Sequence, residues 1–297
     1  MSKKQKVSLI TVVFISFLAT FSIPSCITGP HRFTPPVHFN FSPTISKGSL
    51  TALKVMTLNL AHGRKEGFHQ LFQDKTTIQA NLTEIARILR REKPDIVALQ
   101  EADNDSFWSG NFNHIYYLAE KARFSYSIQG EQIKGLGLSY GTGLLSKFPL
   151  TEAISITFTP TPPTPAKGFV VSTINIGTEI NVVSVHLDFA RASVRQRQIE
   201  EMVNDLKPFK RPLIIMGDFN CDWSSENTLP FLAKALNLQV FQPEASNLNT
   251  FPQWWKETRI DWILISSELD FSSYRVMEDR LSDHFAVIAT LKFRKKI

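Results

Sequence analysis

The stretch FVVSTINIGTEINVVSVHLD, residues 169–188, holds two β-branched runs, Phe169 to Ile176 and Ile180 to Leu187, around a turn at Gly177. This is the pattern of a β-hairpin. Downstream, Val194 to Lys207 places Ile199, Met202, Val203 and Leu206 at helical spacing, and Leu213 to Met216 is a short apolar run expected to be a buried strand. A helix near Leu229 to Leu236 and strands at Ile260 to Ile265 and Phe285 to Leu291 complete that half. Upstream, the order is a strand at Leu53 to Leu60, a helix over Thr77 to Lys93 stopped by Pro94, and a buried strand at Asp95 to Gln100. Two further strands are expected at Phe124 to Gln129 and Thr142 to Ser146. About ten strands with few helices exceed one open sheet, so the chain is read as α/β (α+β), two packed sheets with helices outside. Residues 51–297 fit one domain.

The chain has 297 residues, of which 43% are hydrophobic and 20% charged, a globular composition that excludes a mainly disordered chain. The net charge of +6 arises at the ends: seven of the 33 basic residues lie in the first six and last six positions, leaving 26 against 27 acids in the body. A near-neutral body gives no nucleic-acid-binding face by charge alone. Two cysteines in unlike contexts provide neither a disulfide framework nor a thiolate metal site.

Residues 1–26 have the form of an export signal: Lys3, Lys4 and Lys6, the apolar run Val7 to Ile23, then Pro24-Ser25-Cys26. Ile23 to Cys26 resembles a bacterial lipobox, which makes Cys26 the expected lipidation site and the protein an exported, membrane-anchored lipoprotein, periplasmic or at the cell surface. A simply cleaved signal and a secreted protein is the alternative. Residues 27–50, rich in Pro, Ser and Thr, read as a linker. A monomer is expected.

Unusual polar residues fall at or beside the ends of apolar runs, or within them: Asn59, Glu101, His186, Asp218, Asn220, Asp261, Asp283 and His284. Singly, each has a plain structural reading as a cap, a turn residue or a satisfied core histidine. Together they recur at one kind of topological position, where rigid strands can make distant residues converge. Four acids and two asparagines are hard oxygen ligands that favour Mg2+ or Mn2+ over zinc, and the two histidines can hold a phosphate. No HExxH arrangement is present. The chemistry that fits is metal-assisted attack of water on a phosphoester.

The motifs MTLNL (56–60), DIVALQE (95–101), YGTGLLSKFPL (140–150), VVSVHLD (182–188), IIMGDFN (214–220), RIDWILIS (259–266) and LSDHFAV (281–287) resemble, in order, those of the endonuclease/exonuclease/phosphatase superfamily. The resemblance implies a four-layer α/β/β/α sandwich, two mixed sheets flanked by helices. It implies Glu101 as the main Mg2+ ligand, with Asn59 beside it and Asp283 at or near the metal. It further implies Asp218 and Asn220 at the attacking water and the phosphate, and His284 as a phosphate-contacting imidazole partnered by Asp261. His186 becomes a second phosphate contact, at a position where abasic endonucleases of the family carry tyrosine.

Lys147, Lys167 and Arg191 are candidate substrate-binding residues, each following a strand or loop near the expected mouth; Arg195 and Arg197 lie on the same helix as Arg191. Trp108, Trp223 and Trp254-Trp255 fall in expected loops, where such rings stack on bases, dip into lipid or anchor a small core. Three functions stay open. The first is a phosphodiesterase, either a nuclease or a sphingomyelinase-type phospholipase. The second is a phosphomonoesterase acting on a small phosphorylated metabolite (sugar, inositol or nucleotide), and the third a non-catalytic exported binding module. The partners to match are nucleic acid, phospholipid or such a metabolite, with the membrane reached through the N-terminal lipid or anchor.

Overall fold

The computed structural model describes residues 31–33, 35–39, 51–253 and 256–294. In chain order the strands are β1 (His31–Phe33), β2 (Val37–His38), β3 (Leu53–Asn59), β4 (Ile96–Asp103), β5 (Tyr126–Gln129), β6 (Ile133–Gly135) and β7 (Leu138–Ser146). They continue as β8 (Thr151–Thr157), β9 (Gly168–Asn175), β10 (Glu179–His186), β11 (Leu213–Asp218), β12 (Leu238–Val240), β13 (Phe251–Gln253) and β14 (Lys256–Thr258). The last three are β15 (Asp261–Ser266), β16 (Leu269–Val276) and β17 (Val287–Phe293). The helices are α1 (Lys75–Glu92), α2 (His114–Ala122), α3 (Ala192–Leu206) and α4 (Thr228–Ala235).

One sheet has the order β1-β8-β9-β10-β11-β15-β12; the other runs β16-β17-β3-β4-β7-β5-β2, with β6 paired to β7. Each sheet contains one parallel pair, β3–β4 joined through α1 and β10–β11 joined through α3. The hairpin expected around Gly177 is β9–β10. Strand side chains alternate between the two faces, and the alternation separates three cores. Val55, Ile96, Ala98, Val182, Ile214, Met216 and Ile263 meet between the sheets. Met56, Leu58, Val97 and Leu99 face Ile78, Leu82 and Ile85 of α1 and Ile115 and Leu118 of α2. Val183, Val185, Ile215, Trp262 and Leu264 face Ile199 and Met202 of α3 and Leu229 and Leu232 of α4. The result is the four-layer α/β/β/α sandwich expected from the motifs.

The segment 27–50, expected to be a linker, departs from that expectation in part. β1 adds to the edge of one sheet at β8, and β2 adds to the other at β5. Each is only two or three residues long, so neither leaves a readable periodicity. The signal region and Cys26 lie outside the described residues.

Candidate active site

The alternation that builds the inter-sheet core also builds the site. On β3, Thr57 and Asn59 share the parity of Leu53 and Val55; on β4, Gln100 shares that of Ile96 and Ala98. His186, Asp218 and Asp261 share the parity of Val182, Met216 and Ile263. These polar residues therefore occupy one end of the inter-sheet layer, where the apolar filling stops. Strand register aligns them: His186 pairs with Asp218, and Asp218 with Asp261. Asn59 pairs with Gln100 in the facing sheet.

Asp218 is the hub. Its carboxylate accepts a hydrogen bond from Asn59 Nδ2 at 2.9 Å and one from the Asn220 backbone N–H at 2.9 Å. His186 Nε2 lies 3.4 Å and His284 Nε2 3.8 Å from the same carboxylate. Burial disfavours its charge, and although His284 opposes this, Asp261 adds repulsion; the group is pushed up to about 7. His284 Nδ1 sits 2.8 Å from Asp261 Oδ2, and Phe251 covers the ring. Burial alone would lower the His284 pKa, but Asp261 and Asp218 outweigh it and raise it to about 10. The imidazolium is the resting form.

Glu101 lies in β4 at φ +49°, where the pairing with β7 slips between Leu99 and Ala102. Such a bulge re-aims a side chain. The Glu101 carboxylate is 3.5 Å from His62 Nε2 and 3.9 Å from His186 Nε2, and 22% of the side chain is exposed. Burial would raise its pKa; His62, Lys167, His186 and Arg64 outweigh this and hold it far below the ordinary carboxylate range. Among the described residues no hydrogen bond reaches this carboxylate. An ionised hard-oxygen donor with free lone pairs at the mouth fits a divalent cation. Asn59 Oδ1 accepts the Ala61 N–H at 2.9 Å, and Asp283 pairs with Arg64 at 2.5 Å, so Glu101 is the least committed of the three expected ligands. Asp218, Asp261 and His284 also bring ligand atoms within 4.8 Å of one another. A protonated imidazole has no lone pair to offer, so this trio is better suited to proton handling than to metal binding.

Lys167 is buried with Nζ 3.1 and 3.2 Å from the two His186 ring nitrogens. Burial and the Lys167 charge push the His186 pKa well down, so this imidazole is neutral. Asn220, at φ +53°, donates from Nδ2 to the Leu187 carbonyl at 3.0 Å, fastening its loop to the end of β10.

Two expected substrate residues lie elsewhere in function or place. Lys147 follows β7, whose last residue Ser146 pairs with Ile96 at the start of β4, so it sits at the opposite end of the sheet from Glu101. Its Nζ donates to Asp95 at 3.0 Å and to the Lys93 carbonyl at 3.1 Å. Arg191 is committed to the loop before β9, donating to the carbonyls of Thr161 and Pro162 and to Thr164 Oγ1. Its neighbour Arg195 is buried in a two-pronged pair with Glu226 at 2.8 and 2.6 Å. Trp108 is buried and donates to Asp103 at 2.8 Å, Trp223 packs on Trp262, and Trp254 and Trp255 lie outside the described residues.

One site residue escapes the sequence reading. His62, from the loop after β3, bonds through Nδ1 to buried Asp103 at 2.8 Å and faces Glu101 with Nε2. The Asp103–His62 pair mirrors Asp261–His284 in the other sheet. Burial lowers its pKa, but Asp103 and Glu101 more than reverse this and raise it. The one sequence signal was its place three residues after Asn59.

With this geometry in hand, the comparisons with known proteins converge. The chain matches the Endonuclease/Exonuclease/phosphatase family over residues 56–284 and belongs to it. Among solved structures it resembles an endonuclease/exonuclease/phosphatase from Beutenbergia cavernae, at 17% identity and a TM-score of 0.66, over 82% of this chain and 72% of that one. A Bacteroides thetaiotaomicron mannosyl-6-phosphatase aligns at 20% identity and a TM-score of 0.61, over 81% and 100%. A humanized D. rerio TDP2 aligns at 15% and 0.60, over 82% and 100%. At these identities the likeness is one of fold. No curated protein matches the sequence.

Proposed function

We propose that the protein is a divalent-metal-dependent phosphodiesterase that directs water in line at a phosphate bound between its two sheets. The observation that carries this reading is the placement of Asp218, a buried carboxylate poised near neutrality, between a protonated and a neutral imidazole. A base with a pKa near working pH is suited to taking a proton from water. His284, held protonated by Asp261, donates to a phosphoryl oxygen as charge grows there. His186 and Lys167 supply a second donor and a second positive charge on the other side of Asp218, and Asn59 keeps the Asp218 carboxylate oriented through its 2.9 Å bond. Glu101 would hold Mg2+ or Mn2+, with Asn59 and Asp283 as the further ligands that the family resemblance implies. That ion would supply Lewis-acid polarisation and charge neutralisation at the phosphate.

A phosphomonoester is the second reading, favoured by Lys167: a dianionic phosphate gains from a second buried cation close to His186. The deciding assay offers a phosphodiester chromogen, a phosphomonoester chromogen, plasmid DNA and sphingomyelin, each with Mg2+ and with chelator. Cleavage of diesters only, abolished by chelator, is the expected result. Asp218→Ala and His284→Ala are each expected to lose at least about 100-fold in turnover while the circular dichroism spectrum is kept. A variant that keeps wild-type rates would remove that residue from the mechanism.

A further inference from the structure

Exposed large apolar side chains are concentrated around the mouth. Phe68 (80% exposed), Leu71 and Phe72 (78%) follow β3, Phe107 follows β4, Leu136 (73%) precedes β7, and Phe189 follows β10. All these positions belong to the sheet end that carries Asn59, Glu101 and His186. Five of the six fall in two neighbouring groups, Phe68, Leu71 and Phe72 in one and Phe107 and Leu136 in the other, joined beneath the surface through His69 and Trp108. The Phe68 and Phe72 rings stack at 6.3 Å, His69 bridges Phe72 to Trp108, and the Phe107 ring lies over Gly137, next to Leu136. Trp108 in turn touches His62, so the patch borders the site itself. Leu136 pays twice for its place, since it is exposed and at φ +50°, a left-handed conformation that bulky residues avoid. Patches of this kind mark contact surfaces.

The path of the N-terminal chain says what the patch meets. In β1, His31 pairs with Ile156, Ile156 with Phe169, and Phe169 with Val185, so the chain joins its sheet level with the residue before His186. It therefore enters at the mouth end. Only residues 27–30 separate β1 from Cys26 and the apolar run Val7 to Ile23. Even fully extended, that is a leash of about 17 Å. We infer that the mouth rim docks on a lipid bilayer, with Phe68, Leu71, Phe72, Phe107 and Leu136 inserted among the headgroups and the active-site opening turned towards them.

Three cations beside the patch are paired, Lys65 with Glu84 at 2.7 Å, Arg280 with Glu66 at 2.6 Å, and Lys134 with Glu131 at 2.7 Å, while Lys75 lies 5.4 Å over the Phe112 ring. With most of the neighbouring charge neutralised, binding rests on the apolar side chains and survives high salt and a lipid without net charge. The test uses residues 27–297, which keep every described strand and helix, in flotation with phosphatidylcholine vesicles at low and high salt. The wild-type chain floats at both. The double variant Phe68→Asp/Phe72→Asp and, separately, Leu136→Asp each lose about tenfold or more in partitioning. Turnover of a soluble phosphoester is unchanged in both, so vesicle binding is scored separately from catalysis. A wild-type chain that stays unbound, or variants that float as well as it does, would overturn the inference. So would a dimer, seen by sedimentation, that the same substitutions dissolve, since the patch would then belong to a second copy of the chain.

Discussion

Asp218 and His284 lie 3.8 Å apart and respond to the same buried setting in complementary ways. Burial raises the carboxylate to about 7, and two carboxylates raise the imidazole to about 10. The pair Asp218 ionised and His284 protonated is therefore the dominant form between those values, and the alkaline limb of the turnover profile is expected near 10. Removing the Asp261 charge by Asp261→Asn should move that limb down towards the ordinary histidine value, read as turnover against pH. Stability follows the same sign. A histidine whose folded pKa exceeds its unfolded 6.5 contributes stability that is complete below 6.5 and is lost as pH rises through about 10. The melting temperature of the chelated protein should accordingly fall between these pH values more steeply for wild type than for Asp261→Asn. Much of the site was legible at this scale because the polar residues, each with a plain structural reading of its own, recur together at or beside the ends of apolar runs and within ordered motifs. Lys147 misled because a residue following a strand lies at the site end only if that strand runs towards it, and β7 runs away. Lys167 precedes a strand, β9, that runs away from the site, and so stands at the mouth. His62 was hidden because it comes from a loop with no periodicity to betray which way it points.

Between the strands that carry the site, the closest steric constraint is at Gly217. Its φ is +155°, and a Cβ there would lie 2.0 Å from the Val185 carbonyl oxygen of β10. β10 and β11 are parallel partners, and the pairs Val185–Gly217 and His186–Asp218 are consecutive. Gly217→Ala must therefore push apart the strands at the step just before the His186–Asp218 pair. The expected cost is about 3 kcal/mol or more in chemical denaturation, together with a loss of turnover out of proportion to any change in fold. Reverting the backbone conflict is not open to another side chain, so Gly217→Ser should behave no better. The elements themselves were readable where burial is two-sided or the helical face long, as in β3, β10, β11, α1 and α3. β16 was missed because its exposed half, Ser272, Ser273 and Arg275, dilutes the strand signal on an edge. α2 was missed because nine residues give little more than two turns of periodicity.

Across the whole molecule, the two sheets are joined by more than apolar packing. Ser184 Oγ of one sheet donates to the Leu99 carbonyl of the other at 3.0 Å and accepts from Gln100 Nε2 at 3.0 Å; Gln100 Oε1 accepts from Thr57 Oγ1 at 3.3 Å. One layer further towards the mouth, Asn59 bonds Asp218 across the same gap. The polar layer thus has a structural tier and, above it, a tier that carries the candidate site, both buried. Removing a partner from a buried network leaves the remaining groups without water to replace it, a loss of about 1–3 kcal/mol. Ser184→Ala is expected to lose stability in that range while turnover at moderate temperature is unchanged, because nothing in the upper tier bonds to Ser184. Asn59→Ala is expected to lose stability and turnover together, because it strips the bond that orients Asp218. Urea denaturation combined with turnover for the two single variants separates the tiers. Equal losses of turnover in both would mean that the sheets move as one lever on Asp218, and that the site is set by the spacing of the sandwich rather than by its uppermost bonds.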